Sequence, residues 1–437
     1  MKPMWAVAPL LAALVIACQG QQPLPQSLDR RQLAAPITVD EAVSEALQAN
    51  PEVRAAVRRL SLAQSKISTA RSLDDPMLMV RDWSTPLRQP WDLNQAQVMV
   101  GLQRTFIGKE KRDARAQVAG DGADVSASEV EAVRQEIAVQ VRKACVDLKR
   151  NADEMKLHDR QASLLKEALA GALAEYTTGK VTQAEVLRAQ MAVTRLNEHL
   201  LELEEERDTA EAQLNALLGR RPEAPVAIAG AYTVPEELPA IESLEQLAIE
   251  HRPELASMRK SIARAKDEGQ LTRMAVKPDF TVAAGYMLMP SGSYARSGYM
   301  AELTVNLPGW NRGRHEGEAK QADAATAVSE TELDVRTQGV FLEVRRAQIE
   351  VQAAQRRIKL YRDTLLPQAE ALFKASTVAY RNNRGEFQAM VESQNLLLDV
   401  EEALYKASAA ADVGIAELER AIGAPVPSIA NAPGRNQ

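Results

Sequence analysis

One stretch of about 67 residues, from Lys109 to Glu175, contains no proline and has the pattern of a single uninterrupted helix. Along it, apolar or small side chains return every seven residues, at Val141, Leu148, Met155, Ala162, Leu169 and Tyr176. Sustained heptads predict a helix that supercoils with its neighbours. At about 1.5 Å per residue, this helix would be roughly 100 Å long. Such a length excludes a compact globular domain and predicts an elongated helical body.

The long helix belongs to a duplicated chain. Asn50-Pro51-Glu52 returns 202 positions later as Arg252-Pro253-Glu254, and the glycine that ends NALLG returns 204 positions later in ERAIG. In each copy the Pro-Glu pair is expected to stop one helix and open the next. Each half therefore predicts a short helix, a medium helix, a strand pair, a very long helix, a turn and a returning helix. In the second half Pro367 is expected to kink or break the long helix.

These landmarks divide the chain into six segments. We assign 1–17 to a signal peptide, 18–36 to an N-terminal tail, 37–222 to the first repeat, 223–240 to a linker, 241–425 to the second repeat and 426–437 to a C-terminal tail. The predicted strands are about 77–84 and 95–105 in the first repeat and about 279–289 and 298–308 in the second. The predicted helical hairpins are about 109–219, with its turn at 176–182, and about 312–423, with its turn at 380–386.

The N-terminus is predicted to be a targeting segment. After Lys2, an apolar run from Met4 to Ala17 is long enough for a signal sequence and short for a membrane span. The run ends in Val-Ile-Ala-Cys, which resembles a bacterial lipoprotein signal and implies that Cys18 is lipidated. Gln19, rather than Asp, follows the cysteine and implies the outer membrane of a Gram-negative cell. The alternative is that Cys18 is an ordinary apolar residue of the signal.

The strand segments change the period from seven to two. In the best example Tyr299, Ala301, Leu303 and Val305 alternate with Met300, Glu302 and Thr304. Segments of about ten residues with one apolar and one polar face are typical of membrane β-barrel strands, although a two-faced soluble sheet shares the pattern. Four strands cannot close a barrel, and open strand edges cannot lie in lipid. In a membrane, several chains must therefore share one barrel.

Composition and motifs exclude several functions. The chain contains 4% aromatic and 26% charged residues, with a net charge of -6 and no basic run, which argues against a nucleic-acid partner. No phosphate-binding loop, HExxH motif or nucleophile setting is present, so we predict neither an enzyme nor a cofactor. The four histidines lack the local spacing of a zinc site. The remaining alternative is a lipid-tethered periplasmic coiled-coil scaffold without a pore, which would not need the strands.

The ordered set of repeats, strand pairs, long helices and Tyr-x-x-Gly turn resembles the TolC family of outer-membrane efflux factors, from about residue 37 to residue 425. GYMLMPSGS, VNLPGW and FIGKEKRDAR resemble its heavy-metal resistance branch. The resemblance implies a mainly α fold with a small membrane β part. It also implies a homotrimer in which three chains share a twelve-stranded barrel and a periplasmic helical tube. Its partners would be a periplasmic adaptor and an inner-membrane RND-type pump.

The resemblance also implies roles for residues at the two hairpin tips. The tips would dock onto the adaptor through Tyr176, Gly179, Lys180, Tyr380, Asn383 and Arg384. Acidic residues would ring the closed end of the tube, and the matching positions are Glu185 and Glu392, with Arg381 close by. The second tip departs from the family pattern, because Asn383 and Gly385 stand where glycine and arginine are usual. A solvated helix face is the alternative role for the two acids.

Methionines on the polar phase of the strands suggest a cargo. The four residues are Met99, Met287, Met289 and Met300. Thioethers are soft ligands that suit Cu(I) or Ag(I), so these side chains are candidate lumen contacts for copper or silver ions. Cobalt, zinc and cadmium are the rival cargoes. The alternative is that methionine only fills gaps in the sheet.

Overall fold

The computed structural model describes residues 36–84, 97–179, 181–230, 232, 237–289, 297–382, 384 and 386–427. Its helices are α1 (Val39–Ala49), α2 (Pro51–Arg71), α3 (Lys109–Thr177), α4 (Gln183–Leu217), α5 (Ile241–His251), α6 (Pro253–Arg273), α7 (Arg312–Leu360), α8 (Leu366–Arg381) and α9 (Phe387–Ile422). Its strands are β1 (Ile37–Thr38), β2 (Met77–Ser84), β3 (Gln97–Phe106), β4 (Ile228–Ala229), β5 (Phe280–Leu288) and β6 (Ser297–Val305). The mainly helical fold with four longer strands, predicted from the sequence, is confirmed.

The predicted long helix is α3, which is one continuous element of 69 residues. Its length is about 104 Å at the usual rise per residue. No single core could cover it, and it packs in succession against α1, α2, α4, α6 and α9. Since α6 and α9 belong to the second half of the chain, the two repeats interlock along α3.

The second long helix is interrupted near Pro367, as its sequence predicts. Helix α7 ends at Leu360, a π-helical segment runs from Tyr361 to Leu365, and α8 begins with Pro367 at its second position. Proline has no N–H to donate, and its ring clashes with the carbonyl one turn earlier. A wider π turn just before the proline relieves both problems.

The four longer strands form one antiparallel sheet with the order β2-β3-β5-β6. The first repeat thus contributes one hairpin and the second repeat the other, joined along β3 and β5, where Gly101 pairs with Gly285. Lys111 anchors this sheet to the start of α3. Its buried ammonium donates to both carboxylate oxygens of Asp279 at 2.9 Å and to the carbonyl of Lys277 at 2.6 Å.

The same junction is built in both repeats with different chemistry. Asn50 ends α1, and its side-chain oxygen accepts from the Glu52 N–H at 2.7 Å while its amide donates to the Leu217 carbonyl at 2.9 Å. Arg252 occupies the equivalent position with 1% exposure and donates to the Ala421 carbonyl at 3.4 Å. Its guanidinium also pairs with Glu254 and Glu343. Each residue therefore fastens the end of the returning helix to the first two helices of its repeat.

A glycine completes each junction. Gly219 and Gly423 follow α4 and α9 with φ angles of +68° and +74°, the left-handed region in which other L-residues are strained. A methyl group at 219 would lie 2.9 Å from the Ala49 carbonyl oxygen, and one at 423 would lie 2.7 Å from the His251 carbonyl. Both positions therefore require glycine for its conformation and for the close approach of the preceding short helix.

We expect Gly423→Ala to destabilise the protein. The left-handed conformation alone costs about 1–2 kcal/mol for a residue with a Cβ, and the contact with the His251 backbone adds to that cost. The measurement is the thermal midpoint of the detergent-solubilised protein, followed by far-ultraviolet circular dichroism.

The matched control is Gly317→Ala on the exposed side of α7, where an added methyl meets nothing within 4 Å. Replacing a mid-helix glycine by alanine is expected to raise helix stability slightly. A Gly423→Ala midpoint as high as that of Gly317→Ala would contradict the proposed role of the junction.

Candidate functional site

The outer face of the sheet is apolar and exposed. Tyr299 is 93% exposed and Leu78 is 70% exposed, although both are large apolar side chains. The other exposed apolar residues of this face are Val80, Val100, Leu102, Phe106, Phe280, Val282, Tyr286, Leu288 and Leu303. The strand register places only two charged residues, Asp82 and Arg104, on this face among the described residues. The rest is an exposed apolar surface that needs an apolar environment or a partner to cover it.

The inner face of the sheet is polar and concave. Arg81 on β2 and Glu302 on β6 form an ion pair of 2.7 Å, although these strands are the two edges of the sheet. Three strand spacings separate them by about 14 Å along a flat sheet, so the sheet must curl toward this face. Thr105 and Thr281 also share a hydrogen bond of 3.0 Å on it.

Three of the four predicted methionines lie together on the inner face. Met99 and Met287 are opposite each other on β3 and β5, and both are buried, at 1% and 8% exposure. Met300 pairs with Gly285 in the next row. The sulfur of Met287 also accepts from the Gln97 amide at 3.1 Å. The fourth residue, Met289, is half-buried and lies just beyond the end of β5.

The sequence analysis did not identify a further methionine of this group. Met79 pairs with Gly101, which pairs with Gly285, so Met79 lies on the same face as the other three. The β2 segment alternates poorly in sequence, which hid this phase. The strand pairing reveals the position of Met79, because Met79 on β2 and Met300 on β6 flank the paired glycines Gly101 and Gly285 in one row across the sheet.

The first tip is a tight turn between α3 and α4. Gly179 has a φ of +70°, and Tyr176 is exposed beside it. Glu185 forms a capping box with Thr182: its carboxylate accepts from the Thr182 N–H at 3.1 Å, and its own N–H donates to the Thr182 hydroxyl at 3.4 Å. Glu185 therefore holds the start of α4, in addition to any role for its charge.

The second tip lies beside the first. The Tyr380 hydroxyl donates to the Glu175 carboxylate at 3.3 Å, and Arg188 donates to the side-chain oxygen of Gln388 at 3.2 Å. Gln388 in turn donates to Glu392 at 2.8 Å. Glu392 is thus joined to the first tip through one intermediate side chain. A small apolar cluster that includes Ala189 and Met390 packs the two hairpins together.

Only some of the remaining predicted tip residues lie within the described ranges. Arg381 and Arg384 are exposed, and the Arg384 N–H donates to the Ala379 carbonyl at 2.9 Å. Lys180, Asn383 and Cys18 lie outside the described residues.

Burial raises the pKa of the Tyr380 hydroxyl, and the nearby carboxylates of Glu175 and Glu185 raise it further. Two carboxylates of the first tip, Glu175 and Glu185, therefore lie close to the Tyr380 hydroxyl of the second.

A cluster missed by the sequence analysis lies where α3, α4 and α9 meet. His158, His199 and Glu402 each offer one ligand atom, and these atoms lie within 4.8 Å of one another. Spacing along the chain indicated no local histidine site, but the hairpin brings the two histidines together. They lie 21 and 20 residues from Gly179, so the antiparallel helices place them opposite each other.

The cluster is electrostatically coupled. The contact with His158 lowers the pKa of the Glu402 carboxyl to about 2. Burial lowers the pKa of the His158 imidazole, but its contacts with Glu402 and Gln161 and the negative charge of Glu154 outweigh burial and leave it above its usual value. At neutral pH the Glu402 side chain is therefore a carboxylate.

None of the helices in the described ranges has an apolar run sufficient to cross a bilayer. The chain is 22% identical over 369 residues to the cobalt-zinc-cadmium resistance protein CzcC of Cupriavidus metallidurans, a match that covers 84% of this chain and 85% of CzcC.

Two solved structures show the same fold. The outer membrane protein VceC of Vibrio cholerae superposes with a TM-score of 0.70 at 20% identity, over 89% of this chain and 96% of VceC. CusC superposes with a TM-score of 0.73 at 16% identity, over 89% of this chain and 93% of CusC.

The sequence profile of the outer membrane efflux protein family matches the chain twice, over residues 42–220 and 244–424. One match falls in each half, in agreement with the duplicated fold. Together with the two-faced sheet and the long helical hairpins, this shows that the chain belongs to the outer membrane efflux protein family and is an outer-membrane efflux channel.

Proposed function

We propose that three chains assemble into one exit duct, which receives heavy-metal cations from an inner-membrane RND-type pump through a periplasmic adaptor. The observation that carries this proposal is the sheet, with its exposed apolar outer face and polar inner face. Lipid would cover the outer face, and the edges β2 and β6 would pair between neighbouring chains. Three four-stranded sheets would close a barrel of twelve strands. A periplasmic scaffold, the alternative function, would leave this apolar face uncovered.

The two faces are tested by placing the same charge on each. We expect Val100→Arg, on the outer face, to reduce assembly in the outer membrane, because arginine at the bilayer midplane costs about 2–4 kcal/mol. The control is Gln103→Arg on the inner face of the same strand, which should assemble like the wild type. The measurement is the amount of heat-modifiable oligomer in outer-membrane fractions on gels.

Equal assembly of the two arginine variants would contradict the membrane-barrel assignment. A periplasmic scaffold predicts that result, because neither face would meet lipid. Labelling of the mature N-terminus with a radioactive fatty acid, lost in Cys18→Ala, would test the proposed lipid anchor separately.

The tips are proposed to dock onto the adaptor and to form the periplasmic entrance. Tyr176 and Arg384 are exposed at the two neighbouring turns, while Gly179 shapes the first turn. Lys180, Tyr380 and Asn383 complete the proposed docking surface. A threefold arrangement would repeat Glu185 and Glu392 around the entrance, with Arg381 nearby, where a ring of carboxylates attracts cations and repels anions.

We expect the double variant Glu185→Gln and Glu392→Gln to show a higher single-channel conductance, or weaker block by multivalent cations, in planar bilayers. Glutamine keeps the capping box at Thr182, since its side chain also accepts from the cap N–H, so the variant changes charge without removing the helix start. Glu198→Gln, an exposed acid farther along α4, is the control. Conductance and block equal to those of the control would exclude the proposed ring.

The cargo is proposed to be a heavy-metal cation. The similarity to CzcC supports cobalt, zinc or cadmium, whereas the thioethers grouped on the inner face of the sheet favour copper or silver. Both sets of ions are positively charged, so an acidic entrance suits either set. The two sets of ions differ in whether thioether sulfurs are suitable ligands for them.

We expect a variant with Met99, Met287, Met289 and Met300 all replaced by leucine to lower copper and silver tolerance in a strain that depends on this channel. Tolerance to cobalt, zinc and cadmium should remain, because those ions do not need thioether contacts. Leucine preserves apolar volume, so the oligomer on gels is the assembly control. Wild-type tolerance to copper and silver in an assembled variant would exclude the thioether contacts.

A further inference from the structure

We propose that His158, His199 and Glu402 form a binding site for one divalent transition-metal ion, such as Zn²⁺ or Co²⁺. The site lies within the helical body, away from the sheet and the tips. Two imidazole nitrogens and one carboxylate oxygen are a donor set that such ions bind well, with a fourth position available to water. It does not depend on the proposed cargo, because a channel for any substrate could contain it.

The three ligand atoms are already close to coordinating distances. They lie within 4.8 Å of one another, and His158 Nε2 is 2.9 Å from the nearer Glu402 oxygen. Ligands at about 2.1 Å from a tetrahedral zinc ion are separated by about 3.4 Å. Small side-chain rotations would therefore be sufficient, without movement of the helices.

Both imidazoles are oriented by an oxygen acceptor on their own helix. His158 Nδ1 lies 3.2 Å from the side-chain oxygen of Gln161, and His199 Nδ1 lies 3.2 Å from the Glu202 carboxylate. If each Nδ1 carries the proton, each Nε2 presents its lone pair to the cluster. A metal-bound histidine commonly donates its other ring N–H to a carboxylate or carbonyl oxygen in this way.

The centre of the cluster is buried and incompletely satisfied. His158 is 4% exposed, and among the described residues its Nε2, although 2.9 Å from a Glu402 oxygen, makes no hydrogen bond. Glu154, one helical turn before His158, is also buried and has an unsatisfied carboxylate oxygen. Arg150 and Lys406 already pair with the other oxygens of Glu154 and Glu402, so a metal ion would satisfy the nitrogen and the carboxylate oxygens that these two cations leave free.

A simple ion pair is the competing explanation. It would need only His158 and Glu402, which are in contact, and removing His199 would leave that ion pair intact. The metal site requires His199, whose ring lies edge-on to that of His158 with 4.5 Å between centroids. Since the His199 side chain is 41% exposed, it can be removed with little effect on packing, which makes it the position that separates the two explanations.

A bound ion would connect the two repeats. His158 and His199 belong to the first hairpin, on α3 and α4, whereas Glu402 belongs to α9 of the second. The ion would therefore hold the two hairpins together between their base and their tips. A ligand that binds only the folded state also raises its stability in proportion to the logarithm of ligand concentration.

The test is a titration of the purified full-length protein in detergent with Co²⁺, followed by visible absorption, and with Zn²⁺, followed by calorimetry. We expect one ion per chain and a higher thermal midpoint in its presence. His199→Ala should weaken binding by at least about 100-fold, since removing even an outer-shell partner of a metal ligand costs about 10–100-fold.

His315→Ala is the matched control, because His315 has the same arrangement with Glu318, at 3.2 Å, as His199 has with Glu202. Glu202→Gln is the conservative variant and should weaken binding by about 10–100-fold. The site would be excluded if His199→Ala bound metal as tightly as the wild type, or if His315→Ala lost as much metal affinity as His199→Ala. It would also be excluded if the folded wild-type protein bound no metal. Conductance of the same samples reports the channel separately, so failure of one conclusion is distinguishable from failure of the other.

Discussion

The packing of α3 is the constraint on which the rest of the structure depends. A helix about 100 Å long cannot be stabilised by one core, and its backbone hydrogen bonds alone do not hold it in place. The buried apolar residues accordingly form several separate clusters. The two largest lie at the bases of the hairpins, where α1, α3 and α4 meet in one repeat and α5, α7 and α9 in the other. A smaller cluster lies at the tips.

Between base and tip, α3 buries polar side chains. Asn151, Glu154, His158 and Gln161 are each at most 8% exposed. Asn151 donates to the Leu203 carbonyl of α4 at 2.8 Å, which sets the register of the hairpin by a directional bond. Burying a polar group costs free energy unless the group is hydrogen-bonded or ion-paired. Each buried polar side chain in this middle segment of α3 therefore needs a bonding partner. The proposed metal site lies within it and would satisfy that requirement at His158.

Local patterns in the sequence were sufficient for much of the fold. The absence of proline and the heptads predicted α3, the change of period predicted the strand pairs, and Pro367 predicted the interruption after α7. These features depend on neighbours within a few residues. The histidine cluster and the position of Met79 could not be predicted in the same way, because they depend on antiparallel pairing across a turn and on sheet register. Both pairings leave a weak signal in sequence: the two histidines lie at nearly equal distances from Gly179, 21 and 20 residues, and Met79 is aligned opposite a glycine.

The two candidate entrance acids are physically different, although the repeat places them at related positions. Glu185 completes a capping box at the start of α4, so an oxygen acceptor at the end of its side chain stabilises the start of that helix whatever its effect on ions. In the second tip, α9 begins at Phe387 without a side-chain cap, and Glu392 lies beyond its first turn. The exposed Glu392 carboxylate accepts from Gln388 and does not serve a helix end. Selection for charge at the entrance would therefore act on Glu392 alone, whereas position 185 is also constrained by helix capping, which either glutamate or glutamine satisfies.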